Sequence, residues 1–411
     1  MSGSAPPGGR FEAFAIVNFR LFFIGQTVAF SGTWMQRVAQ AWLVLDLSDS
    51  PTTLGLVIAL QFLPAALLIP VAGVVADRWP KRRIMRIIQA GTVVQATLLA
   101  ALSITHTAEL WHVYLLAVAL GCFYAFDQTT RMSYVGEMVD RHRLQSAVSL
   151  TTTISNLARI VGPAIAGVII ALAGVGWCFL LNALLQMCGM AMYAVMGANP
   201  RPVKGIPRAD ARRQLMDGLR YARGDPRLLL PLLLQAVVGV FLLNWQVVLP
   251  LLARYELDAG SVGLGLMSAA QGAGAVVGSL IAAGTGLPRP RRLVESGLLF
   301  ALGLAALGVA PTVPGALVLL VAVGALQVTF MAASQTTLQL NARDDYRGRV
   351  LSLSALAISG STPFGATIIG ALADLWSIRV ALVIAGAISL TGIWLSWLSQ
   401  RASLCEDRDR P

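Results

Sequence analysis

Stretches of twenty or so mostly apolar residues recur along nearly the whole chain, and no other feature limits its fold as tightly. A helix of about 20 such residues crosses the hydrocarbon core of a bilayer, and it satisfies every backbone N–H and C=O within the segment. Twelve spans can be read, about 18–45, 53–76, 84–105, 111–131, 144–173, 176–197, 227–252, 260–284, 293–311, 315–340, 349–373 and 376–398. Only 12% of the residues are charged and 56% are hydrophobic, whereas soluble domains carry about 25% charged residues. The solvent this surface expects is therefore lipid. The first residues, "MSGSAPPGGRFEAFAIVNFR", are polar and rich in Gly and Pro, without the compact apolar core and small-residue cleavage site of a signal peptide.

Charge sets the orientation. The net charge is +11, with bases concentrated on alternate connections: "DRWPKRR", "DRHR", a long basic segment, "PRPRR" and "RDDYRGR". The opposite connections read "DLSDSP", "THTAEL", "AGVG", "RYELDAG", "PTVPG" and "DLWS". Positive-inside bias places the first set in the cytoplasm, so an even number of spans leaves both termini cytoplasmic. The basic balance then reports topology, and no nucleic-acid partner is expected. Cys122, Cys178, Cys188 and Cys405 have no pairing or metal spacing, and His106, His112 and His142 form no ligand set. No metal or other cofactor is expected. An enzyme reading lacks parts too: there is no Ser/His/Asp set, and the glycines lie in apolar helices rather than in a phosphate-cradling loop after a strand.

The two sides of segment 199–226 echo one another. "NFRLFFIGQTVAF" at 18–30 aligns with "DPRLLLPLLLQAV" at 225–237, "QTT" at 128–130 with "QTT" at 335–337, and "RHR" at 141–143 with "RGR" at 347–349, all at nearly one offset. Parallel duplication of a six-helix unit is a transporter architecture, with the substrate site between the halves near the midplane. The expectation is an all-α membrane protein with twelve transmembrane helices in two pseudo-symmetric six-helix bundles, 1–198 and 227–400. Residues 199–226 are a cytoplasmic linker, in which "ARRQLMDGLRYAR" forms an amphipathic helix on the membrane surface, and 401–411 is a cytoplasmic tail.

These features resemble the major facilitator superfamily over essentially the full chain. "GVVADRWPKRR" is similar to its signature between helices 2 and 3, G-x-x-x-D-R-x-G-R-R/K: Gly73, Asp77, Arg78, Lys81 and Arg82 match, and Pro80 stands at the second glycine. "DQTTRMSYVGEMVDRHRLQSAVSLTTTISNLARIVGPAIAGVI" and "NWQVVLPLLAR" resemble the group typified by the enterobactin exporter, which also holds macrolide, tetracycline and metal-resistance pumps. The resemblance implies that Asp77 contacts the start of helix 11 and that an arginine of its loop, Arg78 or Arg82, meets an acid on helix 4, for which Asp127 is the candidate. Such contacts would break as a cytoplasmic gate opens. "ARIVGPAIAG" resembles the antiporter signature of helix 5, matching at Gly162, Pro163 and Gly167, with Ala158 and Ala166 where glycines are usual.

Charges inside the membrane are expensive and so mark function. Arg37 shares a helix 1 stripe with Gln26, Thr33 and Gln40, Arg159 lies mid-helix 5, and Asp127 is the carboxylate well inside a span, spaced to pair with Arg131. Helices 1, 4, 7 and 10 line the cavity in the superfamily, which adds Gln128, Gln235, Asn244, Gln246, Gln327 and Gln335, with Trp34, Trp245 and Tyr124 able to stack on a ring. The substrate-binding set is then Gln26, Trp34, Arg37, Gln128, Arg159, Asn244, Gln246 and Gln335. Gating or proton coupling falls to Asp77, Arg78, Arg82, Asp127, Arg131, Glu137, Gly162 and Pro163. Two buried arginines against one acid favour an anionic or neutral amphipathic substrate. The expected function is proton-coupled efflux of such a small molecule, a siderophore for example, by a monomer among the lipids of the bacterial inner membrane. The alternatives are a macrolide- or tetracycline-type multidrug pump and a lipid or solute transporter of the same fold.

Overall fold

The computed structural model describes residues 11–197, 211–284 and 290–406; the side chains of Pro70, Asp77, Met132, Arg141, 211–215 and 401–406 fall outside the described set. The described chain is helical throughout its elements and contains no strand. The first set of helices is α1 (Val17–Ser48), α2 (Pro51–Arg78), α3 (Lys81–Ile104), α4 (Leu110–Met138), α5 (Leu144–Ala173) and α6 (Val175–Val195). After α7 (Ala211–Arg223) come α8 (Pro226–Phe241), α9 (Trp245–Leu251), α10 (Gly260–Gly284), α11 (Pro290–Gly308), α12 (Val313–Asn341), α13 (Asp344–Ser359), α14 (Thr362–Leu375) and α15 (Ile378–Glu406).

Among the described residues, ten helical stretches are long and apolar enough to cross a membrane by length and composition. The twelve read from sequence also include α1 and α11, which are not among the ten. Their chemistry explains why. α1 carries Gln26, Gln36, Arg37 and Gln40 on faces turned inward, and α11 spends its first turns on Arg291, Arg292 and Glu295. Two expected spans are each broken near mid-depth. α8 stops at Phe241 and the chain restarts at Trp245, and α13 gives way to α14 across Gly360 and Ser361. The two breaks touch: a Cβ on Gly365 would lie 2.0 Å from the Val240 carbonyl oxygen. At the first break, Asn244 Nδ2 donates to that same carbonyl at 2.6 Å, satisfying a backbone group released by the interruption.

α1 packs on α5 and α6, α2 on α4, and α3 on α4 and α6; in the second set α10 packs on α12, and α11 on α12 and α15. The sets meet where α5 crosses α10 and α2 crosses α14. Small residues allow those crossings. A Cβ on Gly167 would fall 2.5 Å from the Ser261 carbonyl oxygen, while Ser261 Oγ donates to the Gly167 carbonyl at 3.0 Å. Gly55 likewise sits against the Ala366 carbonyl.

At the predicted outer end the sets are also clasped by side chains. Arg254 bonds Asp46, Tyr255 Oη donates to Asp49 at 2.8 Å, and Thr52 Oγ1 donates to Asp374 at 2.7 Å. At the basic end, Lys81 bonds Glu137 with both side chains buried. Arg82 donates from Nε to the Tyr193 carbonyl at 2.8 Å and from Nη2 to that of Ala194 at 2.7 Å, capping the C-terminus of α6. α7 packs on α13 and α8. Gly218 meets Arg349 and Leu353 of α13, the Tyr221 and Tyr346 rings stack at 4.3 Å, and Ala222 is buried. α15 continues to Glu406, into the segment read from sequence as a tail.

Candidate functional site

A cavity of about 600 Å³ lies between the two sets of helices. Its shape follows from α5. Gly162 has no room for a side chain, since a Cβ would sit 2.7 Å from Trp34 Cβ and 2.8 Å from the Ser31 carbonyl oxygen. α5 therefore presses against α1 there. Pro163 follows, lines the cavity, and removes the N–H that would have bonded the Arg159 carbonyl one turn earlier. Arg159 is thereby delivered to the face of α1 that bears Trp34 and Arg37.

The result is an aromatic and cationic cluster. The Arg37 guanidinium lies 4.4 Å and that of Arg159 5.0 Å from the centroid of the Trp34 ring, and Arg37 is 5.9 Å from the Tyr124 ring. Arg37 Nε is buried without a hydrogen-bond partner. Neither arginine has a carboxylate within ion-pair distance among the described residues. Nearby, Arg131 bonds Asp127 at 2.9 Å, donates to Gln26 Oε1 at 3.4 Å and lies 4.4 Å from the Phe30 ring, while Gln26 Nε2 donates to Tyr193 Oη at 2.6 Å. Asp127 is the cavity-lining carboxylate of the described set, and it is already engaged.

The opposite wall is uncharged. Trp245 Nε1 donates to Gln327 Oε1 at 2.9 Å, and Gln271 Nε2 to the same oxygen at 2.8 Å, with Asn244 and Gln246 beside them.

The predicted residues thus divide. Gln26, Trp34, Arg37, Asp127, Arg131, Arg159, Pro163, Asn244 and Gln246 line one cavity. Gln128 does not: it is exposed on the other face of α4, one residue past Asp127 and so rotated about 100° from it. Gln335 is also away from the cavity and accepts from Ser354 Oγ at 3.1 Å, joining α12 to α13. Gln235 is buried and donates to Ser334 Oγ at 2.8 Å. Asp127 is not the helix 4 acid that meets the α2–α3 loop. That acid is Glu137, the penultimate residue of α4, and its partner is Lys81 rather than an arginine. Arg82 is spent on α6 carbonyls, Arg78 is exposed, and the Asp77 side chain lies outside the described residues.

Sequence reasoning passed over a second feature of the cavity wall. Asn182 bonds Gln36, Gln36 Nε2 donates to Gln95 Oε1 at 2.8 Å, and Gln186 Nε2 donates to Thr33 Oγ1 at 3.0 Å. This amide chain ties α1 to α3 and α6 behind Trp34 and Arg37. Its signal was present, as amides isolated in apolar runs, which need a partner in lipid.

The sequence pattern of a family described as transmembrane secretion effector matches residues 9–408. The chain is 24% identical to the staphyloferrin A transporter of Staphylococcus aureus, covering 87% of this chain and 90% of that one. It is 28% identical to the multidrug efflux pump Tap of Mycobacterium tuberculosis, covering 91% of both. Among solved structures, it superposes on a bacterial homologue of the human lysosomal transporter Spinster with a TM-score of 0.73 at 14% identity, covering 97% of this chain and 98% of that one.

Proposed function

The chain belongs to the major facilitator superfamily, in its transmembrane secretion effector family, and from that membership we propose that it exports an anionic or neutral amphipathic small molecule, a siderophore first, across the bacterial inner membrane. One observation carries the reading: Arg37 and Arg159 converge on Trp34 in the cavity between the two sets of helices, with no carboxylate partner among the described residues. A guanidinium at membrane depth is costly without a counter-charge, and its fork suits paired carboxylate, catecholate or hydroxamate oxygens. The likeness to the relative named as an efflux pump supports export as the direction of transport.

Alternating access needs one end of the cavity to close as the other opens. Here the clasp of Asp46, Asp49 and Thr52 on Arg254, Tyr255 and Asp374 shuts the predicted outer end, and we assign the opposing latch to Asp77. Proton coupling is assigned to Asp127, whose protonation would release Arg131 beside the substrate. Transport by a monomer needs no second chain, since both walls of the cavity come from one.

The second reading, a multidrug pump, is favoured by the likeness to Tap and by the aromatic wall of Trp34, Tyr124 and Phe62. A deletion strain compared with its parent separates the two. Reduced siderophore secretion under iron limitation supports the first reading. Unchanged secretion with heightened sensitivity to cationic dyes overturns it.

A further inference from the structure

The cavity distributes charge very unevenly. Its charged lining residues, Arg37, Asp127, Arg131 and Arg159, all come from α1, α4 and α5, and Asp127 neutralises Arg131. The wall formed by α9, α10 and α12 offers amides and hydroxyls, such as Gln246, Ser268, Gln271 and Gln327. The cavity therefore holds two uncompensated positive charges, both against one indole.

Other cations of the same set of helices show what a structural role looks like. Lys81 is bonded to Glu137, Arg82 to two carbonyls, and Arg131 to Asp127 and Gln26. Arg37 by contrast leaves Nε buried and unbonded, and its guanidinium lies over the rings of Trp34 and Tyr124, as that of Arg159 lies over Trp34. Ring faces attract a cation but do not neutralise it, and two like charges beside one ring raise each other's energy where the dielectric is low.

We infer that the transported molecule presents two anionic groups to this site, one to Arg37 and one to Arg159, with a flat or apolar part between them against Trp34. This rests on the cavity being the transport site proposed above. A single negative group leaves one guanidinium uncompensated. A third finds no cation free, because Arg131 is held by Asp127, whose own charge repels it. Binding should therefore rise to a maximum at two charges and gain nothing beyond. The uncharged remainder of the molecule faces Trp245, Gln271 and Gln327, whose amides can bond hydroxyl or amide groups.

The test uses the purified full chain in lipid nanodiscs and a probe series of fixed charge: naphthalene methanol, then naphthalene mono-, di- and trisulfonate, measured by titration calorimetry at equal ionic strength. Sulfonates stay ionised throughout the working pH range, so charge alone changes along the series. Each charge-assisted contact is worth roughly tenfold or more in affinity. The disulfonate should bind at least about tenfold tighter than the monosulfonate, with the trisulfonate no tighter. Arg37→Gln and Arg159→Gln should each move the optimum to the monosulfonate, and the double variant should bind all members alike. Arg37→Lys and Arg159→Lys should keep the optimum at two charges with weaker binding, and thermal unfolding checks that each variant is folded. Any other order in the unmodified protein, no binding by any member, or a disulfonate preference surviving in the double variant overturns the inference. Failure of the secretion assay alone would count against siderophore export and leave the charge preference standing.

Discussion

Lys81 and Glu137 form the most deeply buried ion pair described in the chain, with side chains 7% and 8% exposed. They join the first residue of α3 to the penultimate residue of α4, so the pair fixes the α2–α3 loop against the first set of helices. Replacing Lys81 with Met leaves Glu137 without its cation in a place water scarcely reaches. Breaking one side of a buried pair costs about 3–5 kcal/mol, whereas replacing both partners by apolar residues of similar volume is often near neutral. Lys81→Met and Glu137→Leu should each therefore lower the unfolding free energy by about 3–5 kcal/mol, and the double variant by far less than their sum. Arg291 and Glu295 supply the control: they pair at 2.9 Å but are 84% and 52% exposed, so breaking them should change stability by no more than about 0.5 kcal/mol. Detergent-induced unfolding of purified protein gives the four corners of the cycle. Single variants that lose less than about 1 kcal/mol, or that match the Arg291 control, would refute the reasoning.

Three further outcomes are expected. Asp77→Asn should abolish transport while insertion and expression stay near normal, with cysteine labelling showing a more accessible basic end; full activity sinks the latch assignment. Asp127→Asn should lose uphill transport yet keep energy-independent exchange, and parallel loss of both would make the residue only the structural partner of Arg131. Gly162→Ala places a methyl against Trp34 Cβ and the Ser31 carbonyl, so it should destabilise the protein by about 1–3 kcal/mol and weaken probe binding by displacing Trp34; unchanged binding would separate the α1–α5 contact from the site.

Most of the architecture was legible because lipid imposes a coarse rule, that a spanning segment must be apolar over about 20 residues. Where that rule is relaxed, so is the reading. α1 and α11 carry enough polar residues to fall below the threshold, yet they are helices: the glutamines of α1 are buried against protein and cavity, and the charges of α11 are confined to its exposed first turns. The break at 242–244 was not legible, since nothing in "FLLNWQ" distinguishes an interrupted helix in a bundle from a continuous one. By contrast, "GSTP" at 360–363 does carry a boundary signal, a Gly and a Ser ahead of a Pro in the first turn of α14. What permits them is tertiary: Asn244 bonds the freed Val240 carbonyl, and Gly365 lets the second break approach the first.

The site was legible in kind and blurred in detail, and the physical reason is that polarity within a span has two different causes. Arg37 and Gln36 are adjacent in sequence and both line the cavity, but Gln36 is consumed by Gln95 and Asn182 while Arg37 Nε stays unbonded. Gln335 and Gln246 look equally available in the sequence, yet Gln335 accepts from Ser354 and locks α12 to α13. A lone polar residue in lipid must find some partner, so helical spacing reveals that a partner exists without saying whether it is a neighbouring helix or a ligand. Charge breaks the tie better than amides do. An amide is satisfied by another amide, as in the Gln36–Gln95 bond. A guanidinium calls for an anion, and among the described residues none stands within ion-pair distance of Arg37 or Arg159, which is the ground on which an anionic cargo is proposed.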